Sequence, residues 1–371
     1  MKLVYLANAP LPSRAAHSVH IMKMSAAFAA LGHDVTLVVP AKDDPVWASD
    51  GGIFEHYGVP ASFRIERLTR RPGTLGEYRY AVGCAAVVRR TRPDLVVSRY
   101  LMGSVAAALT GAPGLLELHQ LVPNASRVQR PALRWLMRRP ACRGLVVITE
   151  PLRELFEADG VPSGRIVVAP DGADLPGRDV TPWPRSSERL QVGYVGHLYE
   201  GRGEELLLAV AARAPWMDLH VVGGTEDDIA RVRGIAQPLS TVTVHGYVSP
   251  RRAEEIRLGM DVLVAPYQDV VGLGSGTVTT ERWMSPLKIF EYMAAGKAVV
   301  SSDLPILREV LTHEVNSLLC PPADVDAWVD ALRRLDRSPE LRRGLGERAR
   351  ADLEEKYQWK IRARRLLEAL A

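Results

Sequence analysis

A chain of 371 residues is long enough for two domains, and its 47% hydrophobic and 24% charged content is that of an ordinary folded protein rather than a disordered one. It contains no apolar run of the roughly 18 residues that span a membrane, and Cys84, Cys142 and Cys320 lie too far apart for a metal or redox motif, fitting buried thiols in a reducing cytoplasm. The net charge of +4 is unevenly spread, with 22 Lys+Arg against 16 Asp+Glu in residues 1–180 and 25 against 27 in the rest, and without a recognised binding motif this argues against nucleic acid.

The N-terminal MKLVYLANAP is too short in apolar core for a signal peptide and predicts a first strand over 3–8. A helix follows over His20–Leu31 with Gly32 as its stop, then strands over 34–40, 94–99, 114–119, 144–149 and 165–174. The proline-rich, polar stretch 175–189 reads as an interdomain linker. The rhythm then restarts: a strand and turn over 190–196, a helix over 204–214, and strands over 218–224, 241–248 and 261–267. Ser285 is suited to cap a helix, Pro286 to begin it and Gly296 to end it, before a strand over 298–303. From about Asp324 the chain is helical, and the amphipathic end 357–370 is expected to cross back onto the first domain. Strands alternating with helices mean parallel sheets covered on both faces. The expected organisation is α/β with two Rossmann-like domains, 1–175 and 190–355, and a crossover helix over 356–371.

Within the helix after Ser285 almost every side chain is small or apolar, yet Lys288 sits in its first turn, where the helix dipole disfavours a cation. Glu291 lies three residues on, along the same face. A helix start with an added lysine suits an anion, and a carboxylate one turn deeper suits hydroxyl groups behind it. That is the layout of a nucleotide-sugar site. The turn GHLYEGRGEELLLA (196–209) is a second anion site, a glycine-containing loop that opens a helix with Arg202 between two glycines. Both positions fall at carboxyl ends of parallel strands, where open α/β sheets bind ligands. Asp324 and Asp326 form an Asp-x-Asp that fits a helix start better than a metal site. Arg127, Arg130, Arg134 and Arg138 share one helical face with Leu133, Trp135, Leu136 and Met137 interleaved, which fits either a solvated face or contact with anionic lipid headgroups.

The segments PLKIFEYMAAGKAVVSSD, VGYVGHLYEGRGEELLLA, ITEPLRELF…RIVVAPDGAD and SVHIMKMSAAFAALGHDVTLVVP occur in the order found in retaining glycosyltransferases of family 4, which the chain resembles over essentially its whole length. The resemblance implies the GT-B fold, two Rossmann-like domains facing a central cleft. It implies that Glu291, the second Glu of the Glu-x7-Glu motif, binds the nucleotide ribose. Arg202, with Lys288, would hold the donor diphosphate, and His119 would reach the donor sugar. The implied catalytic set is therefore His119, Arg202 and Lys288, and the donor-binding set Gly196, His197, Arg202, Ser285, Leu287, Lys288 and Glu291. Two positions depart from the family pattern. Trp283 stands where the first Glu belongs, with Glu281 or the loop 272–282 as substitutes, and His197–Leu198 replaces an Arg–Leu.

The function expected from this resemblance is metal-independent, retaining transfer of a sugar from a UDP- or GDP-sugar to an acceptor hydroxyl, without a cofactor, in surface-glycan or glycolipid assembly. Arg14, Ser18 and His20, in a loop over 8–20, are acceptor-side candidates. The alternatives are transfer to a small natural product, a nucleotide-sugar 2-epimerase of the same fold, and a binding subunit without activity. The expected location is the cytoplasm, with possible membrane contact at its inner face through the arginine helix.

Overall fold

Strands such as Leu95–Ser98 and Val262–Ala265 are buried at every position, and a strand with no solvated face needs cover on both sides. The computed structural model, which describes residues 1–13, 15–48, 52–122, 128–177, 179–185, 187–198, 201–269 and 282–369, provides that cover in two separate units. One unit is Met1–Asp171 with Trp359–Ala371, the other Gly172–Gln358.

The first unit runs β1 (Lys2–Leu6), α1 (Ala16–Ala30), β2 (Asp34–Pro40), α2 (Gly52–His56), β3 (Arg64–Leu68), α3 (Thr74–Thr91), β4 (Leu95–Ser98), α4 (Leu101–Ala108), β5 (Gly114–Glu117), α5 (Gln129–Met137), β6 (Cys142–Val147), α6 (Glu150–Ala158) and β7 (Ile166–Val168). Its seven strands are parallel in the order β3-β2-β1-β4-β5-β6-β7. The second unit runs β8 (Leu190–Val195), α7 (Glu204–Arg213), β9 (Met217–Val222), α8 (Glu226–Ala236), β10 (Val242–Gly246), α9 (Pro250–Gly259), β11 (Val262–Ala265), α10 (Leu287–Ala294), β12 (Ala298–Ser302), β13 (Leu318–Cys320), α11 (Val325–Arg337) and α12 (Pro339–Asp352). Its six strands are parallel in the order β10-β9-β8-β11-β12-β13. The last helix, α13 (Trp359–Glu368), belongs to the first unit and packs on α1. In both sheets the order reverses beside the first strand, between β1 and β4 and between β8 and β11, which opens a crevice at the carboxyl ends of those strands.

Strand alternation divides the second unit's core. Val262 and Val264 face a cluster with Tyr194, Leu207, Trp328 and Leu332, while Leu263 and Ala265 face one with Ile289, Phe290, Met293 and Leu353. In the first unit Val4, Leu6 and Val96 pack on Tyr80, Cys84 and Val88 of α3.

Several expectations shift. The chain leaves the first unit at Asp171 and returns at Trp359, against 175 and 356 expected. Residues 175–189 belong to the second unit instead of lying free: Trp183 N–H donates to the Glu255 carbonyl at 2.8 Å, and Arg252 stacks 3.4 Å from the Trp183 ring centroid. β3 and β13 were not anticipated. α1 starts at Ala16, so Ser18 and His20 are buried helical residues and not loop groups, with Ser18 Oγ 2.7 Å from the Ala15 carbonyl. α10 starts at Leu287 with Pro286 in the cap position, so Ser285 is not the cap, while Gly296 ends the helix at φ +65° as expected. On α5 Arg134 is exposed, as is Arg138 just past its end, but Arg130 is half-buried and ion-paired with Asp159. Arg14, Arg127 and Glu281, with the rest of the loop 272–281, lie outside the described residues.

Gly203 opens α7 at φ +79°, and a Cβ there would overlap the Pro266 carbonyl oxygen. Gly203→Ala is therefore expected to destabilise the protein by about 2 kcal/mol or more in urea unfolding, whereas Gly234→Ala, in open space on α8, should stabilise it by up to about 1 kcal/mol.

Candidate active site

In the second unit the site begins where β8 stops. Gly196 N–H donates to the Val222 carbonyl at 2.9 Å, and a Cβ on Gly196 would come within 2.8 Å of Lys288 Nζ, so glycine leaves the channel that this side chain occupies. Lys288 is 8% exposed. Its Nζ donates to Tyr194 Oη at 2.8 Å and lies 4.0 Å from the Tyr194 ring centroid and 4.9 Å from that of Tyr267. Tyr194 Oη in turn donates to the His197 carbonyl, tying Lys288 to the loop. The Arg202 guanidinium stands 5.1 Å from the Tyr267 centroid, so two cations share one aromatic ring. No carboxylate among the described residues is in ion-pair range of Lys288. Burial, and then the charge of Arg202, hold its ammonium well below the usual lysine range.

Glu291, on the next turn of α10, is about a third exposed and pairs with Arg257 of α9, Oε2 to Nη1 at 3.2 Å. Leu287, Ser285 and His197 are half-buried at the rim of the same loop and helix start. Leu198, the residue after His197, is fully buried in the core, and Trp283 is half-buried just before α10. Glu204, first residue of α7, is buried against Arg231, which also donates to the Leu198 carbonyl at 3.1 Å and so fastens the loop to the helix. Burial raises the Glu204 carboxyl. Asp324 caps α11 by accepting from Ala327 N–H at 3.0 Å, and Asp326 pairs with Arg213, the helix-start role expected of them.

In the first unit His119 does lie beyond the end of β5, but it is one member of a buried network. Glu117 is 1% exposed. Its Oε1 is 2.7 Å from His119 Nε2, 2.7 Å from Arg362 Nη2 and 3.0 Å from His20 Nε2, and its Oε2 accepts from Tyr5 Oη at 3.2 Å. His20 Nδ1 stands 2.8 Å from Asp171 Oδ1. The His20 ring meets His119 edge-on at 4.8 Å and Trp359 at 5.1 Å. Burial alone would raise both carboxyls. The charges of Arg362 and His20 and the hydrogen bond from His119 outweigh it at Glu117, which is held well below the usual range, and His119, His20 and Arg362 hold Asp171 at about 2. Burial, followed by Arg99, pushes His119 down to about 4, so it is neutral at physiological pH. The donor atoms of His20, His119 and Asp171 lie within 4.8 Å of one another, but all three residues already bond within this group or to Glu117, and Arg362 lies against Glu117; the set fits a hydrogen-bonded network better than a cation site.

Sequence reasoning found Arg202, Lys288, Glu291 and His119 but not Tyr194, Tyr267, Arg257, Glu117, Asp171 or Arg362. One signal was available. Trp359, Arg362, Ala363 and Leu366 form the buried stripe of α13, with an arginine where the pattern asks for an apolar residue.

A family model described as glycosyl transferase 4-like domain matches residues 16–172, and one described as glycosyl transferases group 1 matches residues 189–337. A phosphatidyl-myo-inositol mannosyltransferase of Mycolicibacterium smegmatis is 25% identical over 370 residues, covering 92% of this chain and 86% of the relative. A D-inositol 3-phosphate glycosyltransferase of Corynebacterium jeikeium is 27% identical over 252 residues, 60% of this chain and 55% of the relative. Among solved structures, Anabaena HepE in complex with UDP superposes with a TM-score of 0.73 at 16% identity, covering 100% of this chain and 99% of that one. The lipopolysaccharide outer core galactosyltransferase WaaB in its apo form gives 0.68 at 16%, with the same coverage. With one family model on each unit and this fold beneath both, the chain belongs to the family 4, group 1 glycosyltransferases of GT-B fold, which act on nucleotide-sugar donors.

Proposed function

We propose that the chain is a retaining, metal-independent transferase that moves a hexosyl or N-acetylhexosaminyl group from a UDP- or GDP-sugar to an acceptor hydroxyl, in surface-glycan or glycolipid assembly. The observation that carries this reading is Lys288, a buried lysine resting on two tyrosine rings beside Arg202. Such a pair lacks only an anion. The diphosphate lies against Arg202, Lys288 and the start of α7, and the ribose hydroxyls meet Glu291, which Arg257 holds in place. His119, neutral and anchored on Glu117, takes the hydroxyl side of the donor sugar. In the reaction the anomeric carbon–oxygen bond to the diphosphate breaks while the acceptor oxygen bonds to the same face of that carbon. Negative charge collects on the leaving phosphate, where the two cations stabilise it, and a phosphate oxygen takes the acceptor's proton. Two fixed cations at the leaving group supply the charge that a metal ion would otherwise bring.

HepE has been solved with UDP and with UDP-glucose, and the Mycolicibacterium relative is named for a lipid acceptor; both support a nucleotide-sugar donor and a glycolipid setting. The matching family models describe transferases, which favours transfer over epimerisation. Contact with anionic lipid rests on the exposed Arg134 and Arg138 at the end of α5, with Arg139 stacked 4.2 Å from the Trp135 centroid beside them.

A thermal-shift panel of UDP, GDP and their sugars tests the donor site. A matching ligand at 100 times its Kd should stabilise the protein by about 2.7 kcal/mol, and no shift with any of them overturns the reading. Arg202→Ala should lower kcat/KM by roughly 100- to 1,000-fold. Lys288→Met should abolish the ligand shift while the free protein melts no lower than the wild type, because the buried ammonium costs the free protein stability.

Calorimetry in buffers of different ionisation enthalpy tests the charge logic. The Lys288 ammonium is held down in the free protein and favoured by a bound diphosphate, so binding should take up a proton. Affinity should then weaken as pH rises, and Lys288→Met should remove the uptake. For the lipid contact, Arg134→Glu with Arg138→Glu should reduce co-sedimentation with phosphatidylglycerol vesicles and leave transfer to a soluble acceptor unchanged.

A further inference from the structure

We propose that Arg362 is a positioning residue for His119: by fixing the Glu117 carboxylate it pins the imidazole with its proton on Nε2 and leaves Nδ1 as a hydrogen-bond acceptor for a hydroxyl of the bound sugar. This rests on the reading of His119 as a sugar contact.

The argument is one of donors and acceptors. An ionised carboxylate can only accept, so the 2.7 Å contact between His119 Nε2 and Glu117 Oε1 requires a proton on Nε2. In a neutral imidazole the other nitrogen then carries a lone pair. Nδ1 bonds to no described residue, and the His119 side chain keeps 17% exposure, enough for a ligand to reach it. His119 therefore receives a hydroxyl proton in a hydrogen bond and is unsuited to acting as a general acid.

Glu117 can hold that proton only while it stays ionised and still. Buried as it is, it depends on Arg362, whose Nη2 donates to Oε1 at 2.7 Å. The same guanidinium donates to the Ala169 carbonyl at 3.1 Å and, through Nε, to the Pro170 carbonyl at 2.9 Å. Those carbonyls precede Asp171, the carboxylate on His20. One side chain of α13 thus sets both carboxylates, and the carboxylates set both histidines. The charged and titratable groups around His119 are Tyr5 from β1, His17 and His20 from α1, Arg99 after β4, Glu117 from β5, Asp171 after β7 and Arg362 from α13. Removing Arg362 leaves the Glu117 charge under-compensated. His119 should then draw a proton and become imidazolium nearer neutral pH, with its acceptor site lost.

The full-length 15N-labelled protein is tested by long-range 1H–15N spectra of its imidazoles, with His119 assigned from the signals lost in His119→Gln. The expected wild-type spectrum is the neutral, Nε2-protonated form from pH 5.5 to 8. In Arg362→Met the apparent pKa of His119 should rise by a unit or more, a tenfold change in proton affinity. Arg362→Lys should fall between, and Glu117→Gln, whose amide can also donate, should mix the tautomers. With UDP-glucose as the probe donor, kcat in Arg362→Lys and Glu117→Gln should fall roughly 10- to 100-fold with KM little changed, and an acid-side inflection should move with the His119 titration. A wild-type proton on Nδ1 overturns the proposal even if Arg362→Met fails to fold. So does a His119 spectrum unmoved in folded Arg362→Lys and Glu117→Gln. A spectrum that responds while no nucleotide sugar is turned over would leave the Arg362–His119 link standing and remove the sugar-contact reading.

Discussion

Glu117 carries a full negative charge at a position almost closed to water, and an isolated charge there would cost several kcal/mol and unfold or neutralise the site. It stays charged because a tyrosine, two histidines and an arginine converge on its two oxygens. Nearly every other arrangement in the first unit's site follows from meeting that demand: the face that α1 turns inward, the arginine on the buried stripe of α13, and the placement of Asp171 beyond β7. The second unit holds the opposite case. Lys288 is a buried amine surrounded by aromatic faces and the Arg202 cation, its ammonium form disfavoured and no carboxylate among the described residues in ion-pair range. One unit satisfies its buried charge internally. The other leaves Lys288 with aromatic and hydroxyl partners and no carboxylate among the described residues.

The scaffold makes these placements inexpensive. Parallel sheets with the same reversal of strand order present loops at the carboxyl ends of their strands; Gly196, His119 and Tyr267 lie within two residues of the ends of the inner strands β8, β5 and β11, and Asp171 lies three residues past the edge strand β7. The core beneath is formed by alternating faces of short apolar strands, so the loops above can vary without disturbing it. Where backbone comes close to backbone the chain uses glycine with positive φ, as at Gly203 beside Pro266 and Gly223 beside Gly196.

The inner strands were legible in the sequence because burial on both faces makes them continuous apolar runs. β3 (RIERL) and β13 (LLC) were not, and both are edge strands, one with three charged residues in five and the other only three residues long. In the site, Arg202 and Lys288 could be read because each is out of character with its neighbours. Glu117 lay inside the expected strand 114–119 without being singled out, since its meaning depends on Arg362, 245 residues away. His20 was placed at the junction of the loop 8–20 and a helix starting at that residue, whereas α1 begins four residues earlier, at Ala16, and without a side-chain cap to mark its start. Local pattern carries the elements; it does not carry which buried charges meet.

That 245-residue separation has a consequence for how the molecule is made. A ribosome finishes β1 to β7 long before it reaches α13, and it makes the whole second unit in between. During that interval Glu117 must do without its guanidinium, protonated or hydrated, with His20 and His119 held loosely. The second unit can close as soon as its own residues emerge, whereas the first waits for the last stretch of α13. That buried network is thus assembled late, by the docking of one helix, and a nascent chain paused before that helix would carry a folded sheet with the Glu117 network unfinished.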